Sequence, residues 1–145
     1  MQDTILITGA TGNVGGQVVK QLDPFKEKVR AAVRSKSRAD EIKHMDAELV
    51  EMNFNNVETI DAAFKEVQKL FLLTPLVPNM VEMTKNLVEQ AKKAKVSHIV
   101  KQSVFVLDPE YGITANKLHH QAEKIVQSSG VNYTFFVRYH LCKII

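Results

Sequence analysis

Thr4-Ile5-Leu6-Ile7-Thr8-Gly9-Ala10-Thr11-Gly12-Asn13-Val14-Gly15 decides how the rest of the chain is read. The run from Thr4 to Thr8 is too continuously apolar for a strand with one wet face, so it predicts a strand buried on both faces, as in a parallel sheet. Three glycines follow at G-x-x-G-x-x-G spacing. Val14, Val18 and Leu22 then recur at i, i+4 and i+8, predicting a helix that Pro24 stops.

A strand, a glycine turn and a helix in that order can hold an anion. Gly9 permits the tight turn, Gly12 lets backbone come close to a pyrophosphate, and Gly15 lets the helix pack on the sheet. The free N–H groups of the first helical turn, Asn13 and Val14 among them, face the anion with the positive end of the helix dipole behind them. The plain alternative is a turn that needs glycines for its own geometry. Placement straight after an opening strand and before an amphipathic helix favours a dinucleotide.

Outward from this stretch, short runs rich in Ile, Val and Phe alternate with segments of helical period, the pattern of βαβ units. Val29 to Val33 reads as strand two, and Ser37 to about Met45 as a short helix with Ala39, Ile42 and Met45 on one side. Glu48 to Met52 is strand three. Asn55 with Glu58 resembles a capping box for a helix marked by Val57, Ile60, Phe64 and Val67. Leu70 to Leu73 is strand four, closed by Thr74-Pro75. Asn79 caps a long helix with Met80, Met83, Leu87, Ala91 and Ala94 in one stripe, the two methionines reading as core filler. His98 to Lys101 is strand five, Ala115, Leu118, Ala122 and Ile125 define a helix ended by Gly130, and Val131 to Val137 is strand six. Right-handed crossovers then give an α/β fold, a doubly wound parallel sheet of six strands in the Rossmann order 3-2-1-4-5-6.

At 145 residues the chain fits one domain, with residues 1–138 as the nucleotide-binding unit and 139–145 as an atypical tail. The single cysteine, Cys142, has no intrachain partner, which points to a reducing, cytoplasmic setting. No apolar run reaches the roughly 18 to 20 residues of a membrane helix and no basic leader precedes the first strand, so neither membrane nor export is expected. A net charge of +3 spread along the chain, with no Trp, argues against direct nucleic-acid binding.

The end of strand two selects the dinucleotide. An acid there would hold the ribose hydroxyls of NAD, whereas an arginine would meet a 2′-phosphate. Arg34-Ser35-Lys36-Ser37-Arg38 follows Val33, with no acid in the slot. A guanidinium with a nearby hydroxyl suits a phosphate, so NADP(H) is the expected cofactor, NAD(H) the second choice, and a solvated basic loop the neutral reading.

With the glycine stretch, Arg34 and Phe71-Leu72-Leu73-Thr74-Pro75, the chain resembles the NmrA-like branch of the atypical short-chain dehydrogenases/reductases, which includes NAD(P)H quinone oxidoreductases and redox-sensing regulators. His98-Ile99-Val100-Lys101-Gln102-Ser103, His119-His120-Gln121-Ala122-Glu123 and Ser129 to Phe135 fit the same branch. The resemblance implies Gly9, Ala10, Thr11, Gly12, Asn13, Val14 and Gly15 on the pyrophosphate, Arg34 on the 2′-phosphate, and Thr74 and Pro75 along the nicotinamide side. Relatives carry an Asp after strand three that reads the adenine amine. Here Asn53 precedes Phe54, and its carbonyl would accept that hydrogen bond without charge. Relatives are also longer and continue through an Arg-Pro after strand six, where this chain has Arg138-Tyr139. The substrate-closing C-terminal part is thus expected to be absent.

Catalytic residues are less legible. A short-chain reductase would use Tyr-x-x-x-Lys after strand five, but Tyr111 is followed at that spacing by Ala115. Tyr139 and Lys143 match the spacing beyond strand six, where nothing predicts a helix. Ser103 is expected at the crevice with a hydroxyl for a carbonyl, or as a strand cap. His119 and Glu123 share a helix face, as a tautomer-fixing or a surface pair. The other histidines, His44, His98, His120 and His140, show no ligand spacing, so no metal is expected. The expected function is NADP(H)-dependent hydride transfer to a small conjugated electrophile such as a quinone. The alternatives are an NAD(P)-sensing regulator without catalysis and an inactive fragment, and the partners expected besides a small-molecule substrate are a second copy in a homodimer or a regulatory protein.

Overall fold

Short runs of Val, Ile and Leu assemble into one parallel sheet in the order β3-β2-β1-β4-β5-β6. The structure is a computed structural model that describes residues 3–25, 28–40, 42, 45–75, 77–104 and 114–138. Its strands are β1 Thr4–Ile7, β2 Lys28–Val33, β3 Ala47–Glu51, β4 Lys69–Leu72, β5 His98–Val104 and β6 Asn132–Arg138. Its helices are α1 Asn13–Leu22, α2 Val57–Ala63, α3 Met80–Lys93 and α4 Thr114–Gln127. The strand order is the expected one. Because the chain winds outward on either side of β1, the carboxyl ends of β1 and β4 part into a crevice where the winding reverses.

Period-two alternation divides the core. Leu6, Leu70, Leu72 and Ile99 point to the side of α2 and α3, where Ile60, Phe64, Leu87 and Ala91 meet them. Ile7, Val29, Ala31 and Val33 point the other way, against Val19, Ala39 and Ile42.

Several local readings change. Where a helix from Ser37 to Met45 is expected, the described residues show a 3-10 turn, Lys36–Arg38, followed by Ile42 N–H to Ala39 O at 3.1 Å and Met45 N–H to Ile42 O at 3.2 Å. The apolar spacing there is three, the 3-10 repeat, so Ala39 and Ile42 still reach the core without an α-helix. Asn56 rather than Asn55 caps α2, its Oδ1 accepting Glu58 N–H at 3.1 Å. Val57 is exposed, while Phe64 and Val67 are buried beyond the helix end. Asn79 stands at the N-cap of α3, but its side chain reaches Asn55 instead of an α3 amide. β5 continues three residues past Lys101.

Arg30 was not anticipated. It is a buried arginine on β2 whose guanidinium donates to Ala63 O at 2.8 Å and Lys65 O at 2.6 Å, and to Glu48 Oε2 at 2.9 Å. It thereby satisfies carbonyls at the end of α2 that the helix itself cannot pair, and fixes the turn into β4.

Candidate functional site

The crevice begins at Thr8, which is fully buried. Its hydroxyl accepts Leu73 N–H at 2.8 Å and donates to Leu73 O at 2.7 Å, tying the end of β1 to the end of β4. The glycine turn and Thr74-Pro75 therefore leave the sheet side by side. Gly9 has φ +64, a left-handed conformation open to glycine. Ala10 then turns inward, fully buried, with its N–H on Ala32 O at 3.3 Å.

α1 is pressed against this turn. A Cβ on Gly15 would lie 2.1 Å from Gly9 O and 2.7 Å from Gly9 C, both backbone atoms. Gly16 N–H bonds Gly12 O at 2.8 Å and belongs to the helical ladder, so the amides of Asn13, Val14 and Gly15 are those that helix geometry leaves without an intrahelical acceptor. No acidic side chain stands in the first turn of α1 to offset its positive end. Amides without intrahelical acceptors at a helix terminus, reached across glycines, fit a diphosphate.

A cleft of about 670 Å³ runs from this turn across the carboxyl ends of β2, β3, β4 and β5, a size within the usual range of ligand sites. Gly9, Thr11, Gly12, Val14 and Gly15 line it at the glycine turn, Arg34, Asn53 and Phe54 on the β2–β3 side, and Thr74 and Pro75 at β4. Ten of the twelve expected cofactor residues thus line one cleft. Ala10 goes to the core instead, and Asn13 contributes backbone at the start of α1.

Asn53 is engaged in the turn after β3. Its Oδ1 accepts Asn55 N–H at 2.9 Å and its own N–H bonds Thr59 Oγ1 at 2.9 Å. The carboxamide shapes the turn after β3 and keeps one lone pair for a ligand.

Gln102, Asn55, Asn79 and Met83 line the same cleft, and the sequence reading missed them as site residues. Met83, expected as core filler, is buried and also faces the cleft. Gln102 was legible only if β5 is allowed to run past Lys101. Once it does, alternation sends Gln102 to the cleft and Ser103 to the opposite face.

Ser103 is fully buried there and donates its hydroxyl to the Glu123 carboxylate of α4. His119 and Glu123 are both half-buried on α4, and Glu123 accepts the Ser103 hydroxyl. Tyr111, Tyr139, Cys142 and Lys143 lie outside the described residues, as do His44 and His140. Among the described residues no three His, Cys, Asp or Glu side chains converge on a point, and no helix is long and apolar enough to cross a membrane.

Lys101, beside this pair, is 1% exposed and donates Nζ–H to Gln102 O at 2.8 Å. Burial lowers its pKa from 10.5 to about 8, with the Glu123 carboxylate pulling it back up. Between pH 8 and 10.5 the unfolded chain then binds more protons than the folded one, so stability rises with pH across that window. The burial cost at pH 7 is roughly 3 kcal/mol. Melting curves from pH 7 to 10.5 should show wild type gaining several degrees over Lys101→Met as pH rises. Parallel curves would mean that the Lys101 ammonium stays solvated, with the same proton affinity folded and unfolded.

A glycine turn at the winding reversal of a 3-2-1-4-5-6 parallel sheet places the molecule among the Rossmann-like α/β proteins that bind dinucleotides. The chain belongs to the NmrA-like family, whose model matches residues 1–142. It is 32% identical over 131 residues to an NAD(P)H azoreductase of Xenophilus azovorans, covering 90% of this chain and 46% of the azoreductase. Among solved structures it is similar to the triphenylmethane reductase of Citrobacter sp. complexed with NADP(H), with a TM-score of 0.80 at 27% identity over 91% of this chain and 48% of that one. It is also similar to the Escherichia coli quinone oxidoreductase QOR2 complexed with NADPH, with a TM-score of 0.79 at 26% identity over 90% of this chain and 47% of that one. The chain spans about half the length of the curated relatives it matches.

Proposed function

We propose that residues 1–138 form the NADP(H)-binding unit of a reductase that delivers hydride to a small conjugated electrophile such as a quinone or an azo compound. One observation carries the cofactor: Arg34, with no acid in its slot, lines the same cleft as the glycine turn. A diphosphate on the first-turn amides of α1 and a 2′-phosphate on the guanidinium would both be held by charge-assisted hydrogen bonds. The relatives support the acceptor class, since their names specify azo, triphenylmethane and quinone substrates, all conjugated. Bound NADPH would supply the hydride. Thr74 and Pro75, directly after the Leu73 that Thr8 holds, would wall the nicotinamide end, and Gln102 lines the same cleft. Ser103, with its hydroxyl given to Glu123 on the far face of β5, is not assigned a catalytic role, and neither is His119.

The test is direct titration with both cofactors. Arg34→Asp should weaken NADPH at least tenfold, about 1.4 kcal/mol by the usual affinity relation, and leave NADH within about twofold. Equal losses would refute the 2′-phosphate assignment. Oxidation of bound NADPH on adding a quinone or azo dye tests hydride transfer. Binding without turnover would keep the cofactor and move the function to sensing.

A further inference from the structure

Arg34 is held in a loop that a carboxylate from the neighbouring strand anchors. The 3-10 turn Lys36–Arg38 begins two residues after Arg34, and its Ser35 N-cap makes no side-chain cap. The Ser35 and Ser37 hydroxyls bond each other at 2.8 Å. The open N–H at the start of the turn, that of Lys36, is taken from the next strand: it donates to Glu51 Oε1 at 3.1 Å. Register explains the reach, because Glu51 is the β3 partner of Val33, the residue before Arg34. Met52 and Asn53, directly after Glu51, line the cleft with Arg34.

Two consequences oppose each other. As an acceptor, Glu51 fixes the loop that presents Arg34. As a charge, it sets a unit negative beside the place where a 2′-phosphate would bring more negative charge. The acid missing from the end of β2 is thus supplied by the end of β3, bonded to backbone instead of to a ribose.

We infer that Glu51 is a specificity-determining residue that restrains the preference for NADP(H) over NAD(H) by anchoring the Arg34 loop with a carboxylate instead of a neutral acceptor. This rests on the cofactor reading above. Glu51→Gln separates the two effects, since the amide oxygen still accepts Lys36 N–H while the charge is gone. Glu51 and Arg34 are both exposed, so the change is that of surface charges, about three- to fivefold, and salt weakens it.

NADPH, NADH and 2′,5′-ADP are titrated into the full chain and the Glu51→Gln variant by fluorescence or calorimetry, at low and at about 1 M salt, with melting curves to confirm folding. The expected result is that Glu51→Gln tightens NADPH and 2′,5′-ADP about three- to fivefold, leaves NADH unchanged, and loses the difference at high salt. Glu51→Ala, which removes anchor and charge together, should fall short of the Gln variant for NADPH. An unchanged NADPH-to-NADH ratio in Glu51→Gln, or equal weakening of both cofactors, overturns the assignment while wild-type binding of NADPH keeps the cofactor reading. Binding of neither dinucleotide by wild type overturns both.

Discussion

Gly15→Ala is expected to weaken NADPH binding a hundredfold or more and to destabilise the fold, although alanine is the better helix former. The favourable side is small: alanine in a helix interior gains about 1 kcal/mol over glycine. Against it, the new Cβ would lie 2.1 Å from Gly9 O and 2.7 Å from Gly9 C. Those are backbone atoms with no rotamer to relieve the overlap, so α1 must lift or the glycine turn must open. Overpacking of this kind costs about 1 to 3 kcal/mol. The larger loss is in binding, because displacing the α1 terminus removes amide hydrogen bonds to phosphate, each about 1.5 to 3 kcal/mol. Two of them account for the hundredfold. Gly16→Ala is the control, since its Cβ would meet only Ala10 O, at 3.3 Å. It should change stability by less than about 1 kcal/mol and leave NADPH affinity near wild type. Calorimetric titration of both variants decides the matter. Wild-type affinity in Gly15→Ala would show that the diphosphate is held elsewhere.

Arg30→Met should cost about 3 kcal/mol and lower the melting midpoint by roughly 10 °C. Methionine keeps most of the stem volume, so the loss falls on the hydrogen bonds. The guanidinium bridges β2 to Ala63 O and Lys65 O at the end of α2, and without it those carbonyls lie under a side chain that cannot donate. The ion pair with Glu48 matters less, because the Glu48 side chain is 57% exposed and such pairs contribute about 1 kcal/mol or less. Glu48→Gln should therefore be nearly silent in the same melting curves. If Glu48→Gln matched Arg30→Met, the ion pair and not the carbonyls would be the source of the stability.

The two variants mark different kinds of legibility. Gly15 was assigned from sequence because its reason is local: strand, turn and helix adjoin in the chain, and the spacing of three glycines reports one backbone path. The same locality made Leu6 and Ile7, Leu87 and Ala91 readable as core. It failed where short periods compete, as at Ala39, Ile42 and Met45, whose spacing of three coincides with backbone hydrogen bonds from Ile42 to Ala39 and from Met45 to Ile42. It failed again at Asn55 and Asn56, adjacent residues of equal capping chemistry of which only Asn56 bonds Glu58 N–H.

Arg30, Gln102 and Glu51 were illegible for another reason. Each is defined by a partner far along the chain: Arg30 by carbonyls 33 and 35 residues away, Glu51 by the Lys36 amide 15 residues earlier, and Gln102 by a cleft wall built from four other loops. No periodicity carries such information, since it depends on which strands become neighbours and in what register.

By itself, then, the sequence determined most of the alternation of strands and helices and the glycine turn with the first-turn amides of α1, which follow from backbone preferences and apolar spacing over a few residues. The winding order needed in addition the rule that crossovers between parallel strands are right-handed. Only the tertiary structure decided which polar side chains face the cleft and which are enclosed. Ser103 went to Glu123 and Gln102 to the cleft because a strand sends neighbouring residues to opposite faces, and only strand pairing and helix packing settle which face is covered.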